Sequence, residues 1–176
     1  MNDDSLAGRR IALLVEDFFD DAELVGARDT LVAHGAAVVI VGPLAGRSHT
    51  GLAGTAVSVE RAGGEARAAD FDAVVVPGGY APDRLRLRHA VVDLVRDAVA
   101  AGKPVAAICR GPALLINAGV IRGRTVTCWP SIAVDLKNAG GRYVDRPVVV
   151  DGPVITARKA DDLPFLLEAL VAALRR

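Results

Sequence analysis

The sequence predicts an α/β protein of the doubly wound type, in which helices cover both faces of a mostly parallel sheet. Short apolar runs alternate along the chain with segments of helical periodicity, and each strand–helix–strand unit of this kind predicts a right-handed parallel crossover. The 176 residues show neither an internal repeat nor a linker, so residues 1–176 are expected to form one domain. Such sheets bind ligands at the carboxyl ends of their strands.

The first strand–helix–strand unit lies near the start of the chain. Residues 10–15 form a short apolar run bounded by charge, which predicts a buried strand. Apolar positions then recur on one side of a helix from Asp20 to His34, and Gly35 favours the end of that helix. Residues 36–41 are apolar again and predict the second strand.

A less regular stretch and a second unit follow. Glycine and polar residues at 42–70 predict a small excursion at the sheet edge, with one short strand at 56–60. A buried strand is predicted at 71–76, where the chain runs into Gly78 and Gly79. A helix is predicted from Leu87 to Ala101.

The C-terminal half continues the alternation of strands and helices. The run 104–109 predicts a buried strand that ends at Cys109 and leads into a helix ending near Gly119. Asp151-Gly152 between two apolar runs predicts a tight hairpin turn. The other predicted elements are a strand at 125–128, a helix from Pro130 to about Gly140, strands at 143–150 and 154–157, and a last helix that begins at Asp161.

Composition and charge restrict the function classes. Lysine plus arginine and aspartate plus glutamate each total 21, so the formal charge is zero and no basic field favours nucleic acid or a membrane surface. No apolar run reaches membrane-spanning length, and the N-terminus lacks a signal-peptide pattern. Cys109 and Cys128 form neither a disulfide framework nor a metal-ligand spacing. We therefore expect a cytoplasmic protein with no metal site and no nucleic-acid or membrane partner.

Cys109 is the most informative residue of the chain. It lies between a predicted buried strand and Arg110-Gly111-Pro112, a tight turn into a helix. A side chain on such a turn is pushed out of the sheet, and backbone N–H groups gather around it. The positive end of the helix favours the thiolate, the form that attacks carbon. A buried structural cysteine is the alternative interpretation.

Three loops at the carboxyl ends of predicted parallel strands are expected to meet at one crevice. The loop 16–21 brings carboxylates, Gly78 and Gly79 bring backbone N–H groups, and Cys109 brings a thiol. A nucleophile, a proton-handling group and oxyanion donors are what covalent attack on a carbonyl requires. Helix capping by the acids and a plain Gly-Gly turn are the alternatives. Neither a GxGxxG nor a P-loop pattern occurs, so no phosphate cradle is indicated.

Several stretches, in order, resemble the PfpI-type intracellular peptidase family, which belongs to the superfamily of the parkinsonism-associated protein deglycase. Residues 106–124 are similar to the nucleophile region of that family, and 19–24 to its acidic first-loop motif. Residues 76–82 resemble its oxyanion loop. Residues 135–152 and 161–164 resemble its C-terminal third, so the resemblance spans nearly the whole chain.

The resemblance implies a flavodoxin-like three-layer sandwich of the class I glutamine amidotransferase-like fold, a homo-oligomer of two or more chains, and no cofactor. It implies that Cys109 is the nucleophile and that an acid of the first loop, by position Asp20, hydrogen-bonds the thiol. Gly78, Gly79 and Arg110 are expected to surround the oxyanion. Members of the family are described as peptidases, or as cofactor-free glyoxalases and deglycases that act on methylglyoxal and its adducts, and many are stress proteins.

The chain departs from the family pattern around the nucleophile. The peptidases carry a histidine after the cysteine as their proposed base, whereas Arg110 cannot accept a proton and can only lower the thiol pKa by its charge. Asp20 stands where the family usually has glutamate, and Glu16 or Glu23 could replace it. Trp129 can form a wall of the pocket. None of the three histidines matches a catalytic position of the family: His34, His49 and His89.

The sequence leaves three functional hypotheses. The first is a Cys109-dependent enzyme of the deglycase or glyoxalase type, because related deglycases need only a cysteine and a carboxylate to act on small carbonyls or protein adducts. The second is a sensor of oxidants or electrophiles, or a stress-protective protein, whose thiol oxidises without turnover. The third is an intracellular cysteine peptidase, which Arg110 disfavours.

Overall fold

The strands of a central sheet and the helices that cover it alternate along the chain. A computed structural model describes residues 5–176; residues 1–4, part of the segment without a signal-peptide pattern, lie outside the described range. The strands are β1 (Arg10–Leu14), β2 (Ala37–Gly42), β3 (Ser48–Thr50), β4 (Ala56–Ser58), β5 (Arg61–Ala62), β6 (Ala73–Val76), β7 (Val105–Ile108), β8 (Thr125–Val126), β9 (Arg142–Tyr143), β10 (Val148–Asp151) and β11 (Val154–Ala157). The α-helices are α1 (Asp21–Ala33), α2 (Ala81–Leu85), α3 (His89–Ala100), α4 (Pro112–Asn117), α5 (Ala133–Asn138) and α6 (Leu163–Leu174).

The central sheet has seven strands in the order β10-β11-β7-β6-β1-β2-β5. Its neighbouring strands run parallel, except that β10 pairs antiparallel with β11 through the predicted Asp151-Gly152 turn. The chain leaves β1 toward β2 on one side and later enters β6 on the other side. The loops after β1 and β6 therefore diverge and leave a crevice at the carboxyl ends of these strands.

Side chains that alternate along the strands supply two apolar layers, one on each face of the sheet. Leu13 of β1 and Ile108 of β7 lie in the layer that α1 and α6 cover. Their chain neighbours Leu14 and Ala107 lie in the opposite layer, which α3 and α4 cover. This arrangement confirms the predicted flavodoxin-like, doubly wound three-layer sandwich. No helix within residues 5–176 has both the length and the apolar character needed to cross a membrane.

The structure differs from the sequence predictions where strands leave the main sheet. The excursion after β2 contains an antiparallel β3–β4 hairpin, of which only the second strand was predicted. The apolar stretch 143–150 is two strands, because β9 pairs with β8 whereas β10 pairs with β11. The short helix α2 was not predicted. Local periodicity cannot distinguish these cases, since each depends on which distant strand is the partner.

Leu13 is completely buried in the first apolar layer. Leu13→Ala is expected to lower the free energy of unfolding by about 2–5 kcal/mol, because it removes buried methyl groups and leaves a cavity. The control is Leu87→Ala at a residue that is 76% exposed, for which a change within about 0.5 kcal/mol is expected. Urea unfolding measures both, and equal losses would contradict this packing.

Candidate active site

Cys109 lies on a sharp turn between β7 and α4. Its φ is 60°, a left-handed conformation that costs a residue with a side chain about 1–3 kcal/mol. The Cys109 N–H donates to the Ala157 carbonyl of β11 at 3.0 Å, and the Trp129 N–H donates to the Cys109 carbonyl at 2.9 Å. Gly111 permits the turn, because a Cβ there would lie 2.5 Å from the Val76 carbonyl oxygen. Neighbouring strands thus hold the thiol at the edge of the crevice.

Glu23, and not Asp20, is the acid beside the thiol. Its side chain is almost fully buried, and its Oε2 accepts a hydrogen bond from the Gly78 N–H at 2.6 Å. The Cys109 thiol faces the same carboxyl as its side-chain partner. Oε1 is buried and has no regular hydrogen-bond partner within the described residues. A buried carboxyl oxygen without a partner is rare in folded proteins, so it marks Glu23 as a candidate functional group.

Asp20 instead caps helix α1. Its side chain accepts a hydrogen bond from the Glu23 N–H at 3.0 Å, which satisfies one of the unpaired donors at the helix start. The acid three residues after an Asp cap is the pattern of a capping box, and here that acid, Glu23, turns toward the sheet. The spacing Asp20-x-x-Glu23 was therefore the sequence signal that separates the cap from the buried acid.

The Gly78-Gly79 loop brings backbone donors to the thiol. A Cβ on Gly78 would lie 2.7 Å both from Cys109 Cβ and from Glu23 Oε2, so no side chain fits there. Gly79 has a φ of 72° and forms a bridge with Phe19 of the loop after β1. The backbone N–H groups of Gly79 and Arg110 hydrogen-bond the Cys109 sulfur. These two donors form the candidate oxyanion site, whereas the Gly78 N–H is occupied by Glu23.

Burial and mutual charge raise the pKa values of Glu23 and Cys109. Burial, with the neighbouring charge of Asp20, raises the pKa of Glu23 to about 7. Burial, with the charge of Glu23, raises the pKa of Cys109 to about 12. Burial thus opposes the effect of the helix end, since it raises the pKa of the thiol in spite of the two N–H groups and the Arg110 charge. Both shifts favour the protonated form of the group concerned.

A pocket of about 360 Å³ opens onto the thiol. It is lined by Asp20, Glu23, Cys109, Arg110, Trp129, Lys159, Ala160 and Asp161. The guanidinium carbon of Arg110 lies 5.8 Å from the ring centre of Trp129 and 4.8 Å from that of Tyr80. The wall from Lys159 to Asp161 was missed in the sequence analysis. It follows β11, whose position beside β7 is a tertiary feature.

Glu16 does not line this pocket. It is buried in another cluster, where its Oε1 lies 3.1 Å from His49 Nδ1 and its Oε2 lies 3.2 Å from Arg88 Nη2. Asp17 Oδ1 lies 3.0 Å from the same His49 nitrogen. Within residues 5–176, Glu16, Asp17 and His49 are the group whose donor atoms lie close enough together to hold a metal ion. The sequence expectation of no metal-ligand pattern overlooked this group because its residues lie on separate segments.

Comparison with known proteins finds one family over nearly the whole chain. The model of the DJ-1/PfpI family matches residues 9–173. The protein/nucleic acid deglycase 2 of Escherichia coli (strain K12) is 44% identical over 92% of this chain and 96% of its own length. The deglycase PfpI of Pyrococcus furiosus is 39% identical over 94% of this chain and 99% of its own.

A solved structure matches closely in shape. It is a two-domain protein from Anabaena variabilis with DJ-1/ThiJ/PfpI-like and ferritin-like domains. It superposes with a TM-score of 0.93 at 36% identity over 94% of this chain. The chain spans about half of that protein, 48% of its length.

The capping role of Asp20 predicts different effects for two substitutions. Asp20→Ala is expected to lower the free energy of unfolding by about 1 kcal/mol, because the Glu23 N–H loses its acceptor. Asp20→Asn keeps an acceptor at the cap and is expected to stay within about 0.5 kcal/mol of the original protein. Urea unfolding at pH 7 measures both. Equal losses in the two variants would argue against capping.

The raised pKa of Glu23 predicts a pH-dependent loss of stability. The folded protein keeps this proton up to a pH of about 7, whereas the unfolded chain loses it near 4.5, so stability falls as the pH rises between these values. The cost reaches roughly 3 kcal/mol. In Glu23→Gln the change in unfolding free energy between pH 5 and pH 8 should shrink by up to about this amount.

The control for this measurement is Asp161→Asn. Asp161 belongs to the same pocket, but its side chain is 85% exposed, so the variant should keep the original pH dependence. If Glu23→Gln and Asp161→Asn show the same pH slope, the buried carboxyl is not the group that titrates.

Proposed function

The chain belongs to the DJ-1/PfpI family, and from this premise we propose that it is a cysteine-dependent enzyme of the glyoxalase and deglycase type. Its substrates are small reactive carbonyls, above all 2-oxoaldehydes, and their adducts with protein side chains. The observation that carries the proposal is the buried Glu23 carboxyl beside the Cys109 thiol, with a pKa of about 7. A base is most effective when its pKa lies near the working pH.

The proposed reaction begins with attack of Cys109 on the aldehyde carbon of a 2-oxoaldehyde. Glu23 takes the thiol proton as the S–C bond forms, and the proton passes to the former carbonyl oxygen to give a hemithioacetal. The N–H groups of Gly79 and Arg110 bind that oxygen while it carries negative charge.

A proton transfer then converts the hemithioacetal into a thioester. Glu23 removes the proton from C1, and the electrons move to the C2 oxygen to form an enediolate. Glu23 then returns the proton to C2, while the proton of the C1 hydroxyl passes to the C2 oxygen and leaves a carbonyl at C1. Water hydrolyses the resulting thioester, which frees the Cys109 thiol and a 2-hydroxy acid. The sum is 2-oxoaldehyde plus water to 2-hydroxy acid, so no external oxidant or reductant is needed.

Glu23 can also serve as the base that a histidine after the nucleophile provides in the resembled peptidases. Arg110 cannot take a proton, but the carboxyl already facing the thiol can. The two alternative hypotheses have less support. A peptidase of the resembled type would need the missing histidine, and an oxidant sensor depends on a thiolate, which the raised pKa of Cys109 disfavours at neutral pH.

Consumption of methylglyoxal tests the proposal. Cys109→Ser is expected to abolish turnover, and Glu23→Gln to lower kcat by about 10²- to 10⁴-fold, because the base is lost. In the original protein kcat/KM should rise as the pH passes about 7, where Glu23 becomes ionised. The measurement is the rate of formation of the 2-hydroxy acid at pH 5–9.

The control is Glu16→Gln, which removes the other buried glutamate and lies outside the pocket. After circular dichroism shows that this variant is folded, its methylglyoxal turnover should stay within a few-fold of the original. Full turnover by Cys109→Ser, or equal losses in the two glutamate variants, would refute the proposed roles.

A further inference from the structure

We propose that Arg110 is a carboxylate-binding residue and that the pocket selects reactive carbonyl compounds that carry a carboxylate. The inference rests on the proposed function for the location of the reaction, but it concerns a different group and has its own test. It assigns a substrate class, anionic 2-oxoaldehydes and other oxo acids, to a position where the resembled peptidases carry histidine.

The Arg110 guanidinium donates to no protein acceptor among the described residues. Within residues 5–176 its side chain packs against the rings of Tyr80 and Trp129 and forms neither a hydrogen bond nor an ion pair, although its charge acts on Glu23 from farther away. The other cation of the pocket, Lys159, lies 3.5 Å from the Asp161 carboxylate. Arg110 is therefore the cation of this pocket whose N–H groups remain available to a ligand.

Two aromatic rings hold the Arg110 side chain in place. Cation–π contacts with two rings fix the guanidinium and leave its N–H groups unused. A guanidinium offers a planar pair of donors that matches a carboxylate, and such charge-assisted pairs are stronger than neutral hydrogen bonds. Because Arg110 is positioned before binding, less conformational entropy is lost when an anion binds.

Arg110 also lies close to the reacting groups. Arg110 follows the nucleophile directly and lines the same pocket as Cys109 and Glu23. Its charge acts on both groups, since it lowers the pKa of each. One small molecule in this pocket can therefore place its anionic group at Arg110 and its reacting carbon at the Cys109 sulfur. A compound with an aldehyde at one end and a carboxylate at the other can engage both residues at once.

Two five-carbon substrates of different charge test the inference by turnover. 4,5-Dioxopentanoate carries a carboxylate and would give 2-hydroxyglutarate, whereas 2-oxopentanal is neutral and would give 2-hydroxypentanoate. The original protein is expected to favour the anion by about tenfold or more in kcat/KM. Arg110→Gln should lower kcat/KM for the anion by about 10- to 100-fold more than for the neutral compound.

The control is Arg84→Gln. Arg84 also stacks on an aromatic ring, that of Phe18 at 4.9 Å, but it does not line the pocket, so the preference for the anion should be unchanged. Equal losses for both substrates in Arg110→Gln would show that Arg110 acts only through the charge it exerts on Cys109 and Glu23. That result, or no preference in the original protein, would overturn the inference.

A binding measurement keeps the test independent of turnover. The chain has one tryptophan, Trp129, and it lies beside Arg110, so its fluorescence can report ligands. In Cys109→Ser the carboxylate 4-oxopentanoate should bind at least about tenfold more tightly than neutral pentan-2-one, and adding Arg110→Gln should remove the difference. Equal binding overturns this inference alone. Absence of methylglyoxal turnover with the binding preference intact overturns only the proposed function.

Discussion

The hydrogen bond from the Gly78 N–H to the Glu23 carboxyl is the contact on which the site depends. It joins residues 55 positions apart and connects the first turn of α1 with the loop after β6. The bond holds the acid in a buried position from which it can only face the thiol. Gly78 has to lack a side chain, and Asp20 has to cap the helix, because both conditions place the carboxyl within reach of that N–H.

Several features of the site lower the stability of the folded protein. Cys109 adopts a left-handed backbone conformation, Glu23 buries an oxygen without a regular partner, and both groups are desolvated. Each of these features lowers stability, typically by about 1–3 kcal/mol. The two apolar layers of the sandwich, with β1 and β6 buried between them, stabilise the fold and offset these unfavourable features. A rigid sheet also keeps the loops from relaxing the strain.

The residue after the nucleophile does not have to be a base when another group, here a buried glutamate, can take the thiol proton. In this chain Arg110 occupies that position, and its guanidinium packs beside the rings of Tyr80 and Trp129. In the proposed function Glu23 transfers the proton and Arg110 binds the anion, and this division of roles is the basis of the proposed substrate preference.

Local pattern alone was sufficient to predict the alternating strands and helices, the turn at Cys109 and the Asp151-Gly152 hairpin. It was sufficient because apolar periodicity and turn residues act over a few neighbouring positions. It did not show which acid lies beside the thiol. It also missed the pocket residues from Lys159 to Asp161 and the contact between Glu16 and His49. Those contacts join segments far apart in sequence. The order of the strands and the burial of Glu23 decided them, since desolvation and distance exist only once the sheet has assembled.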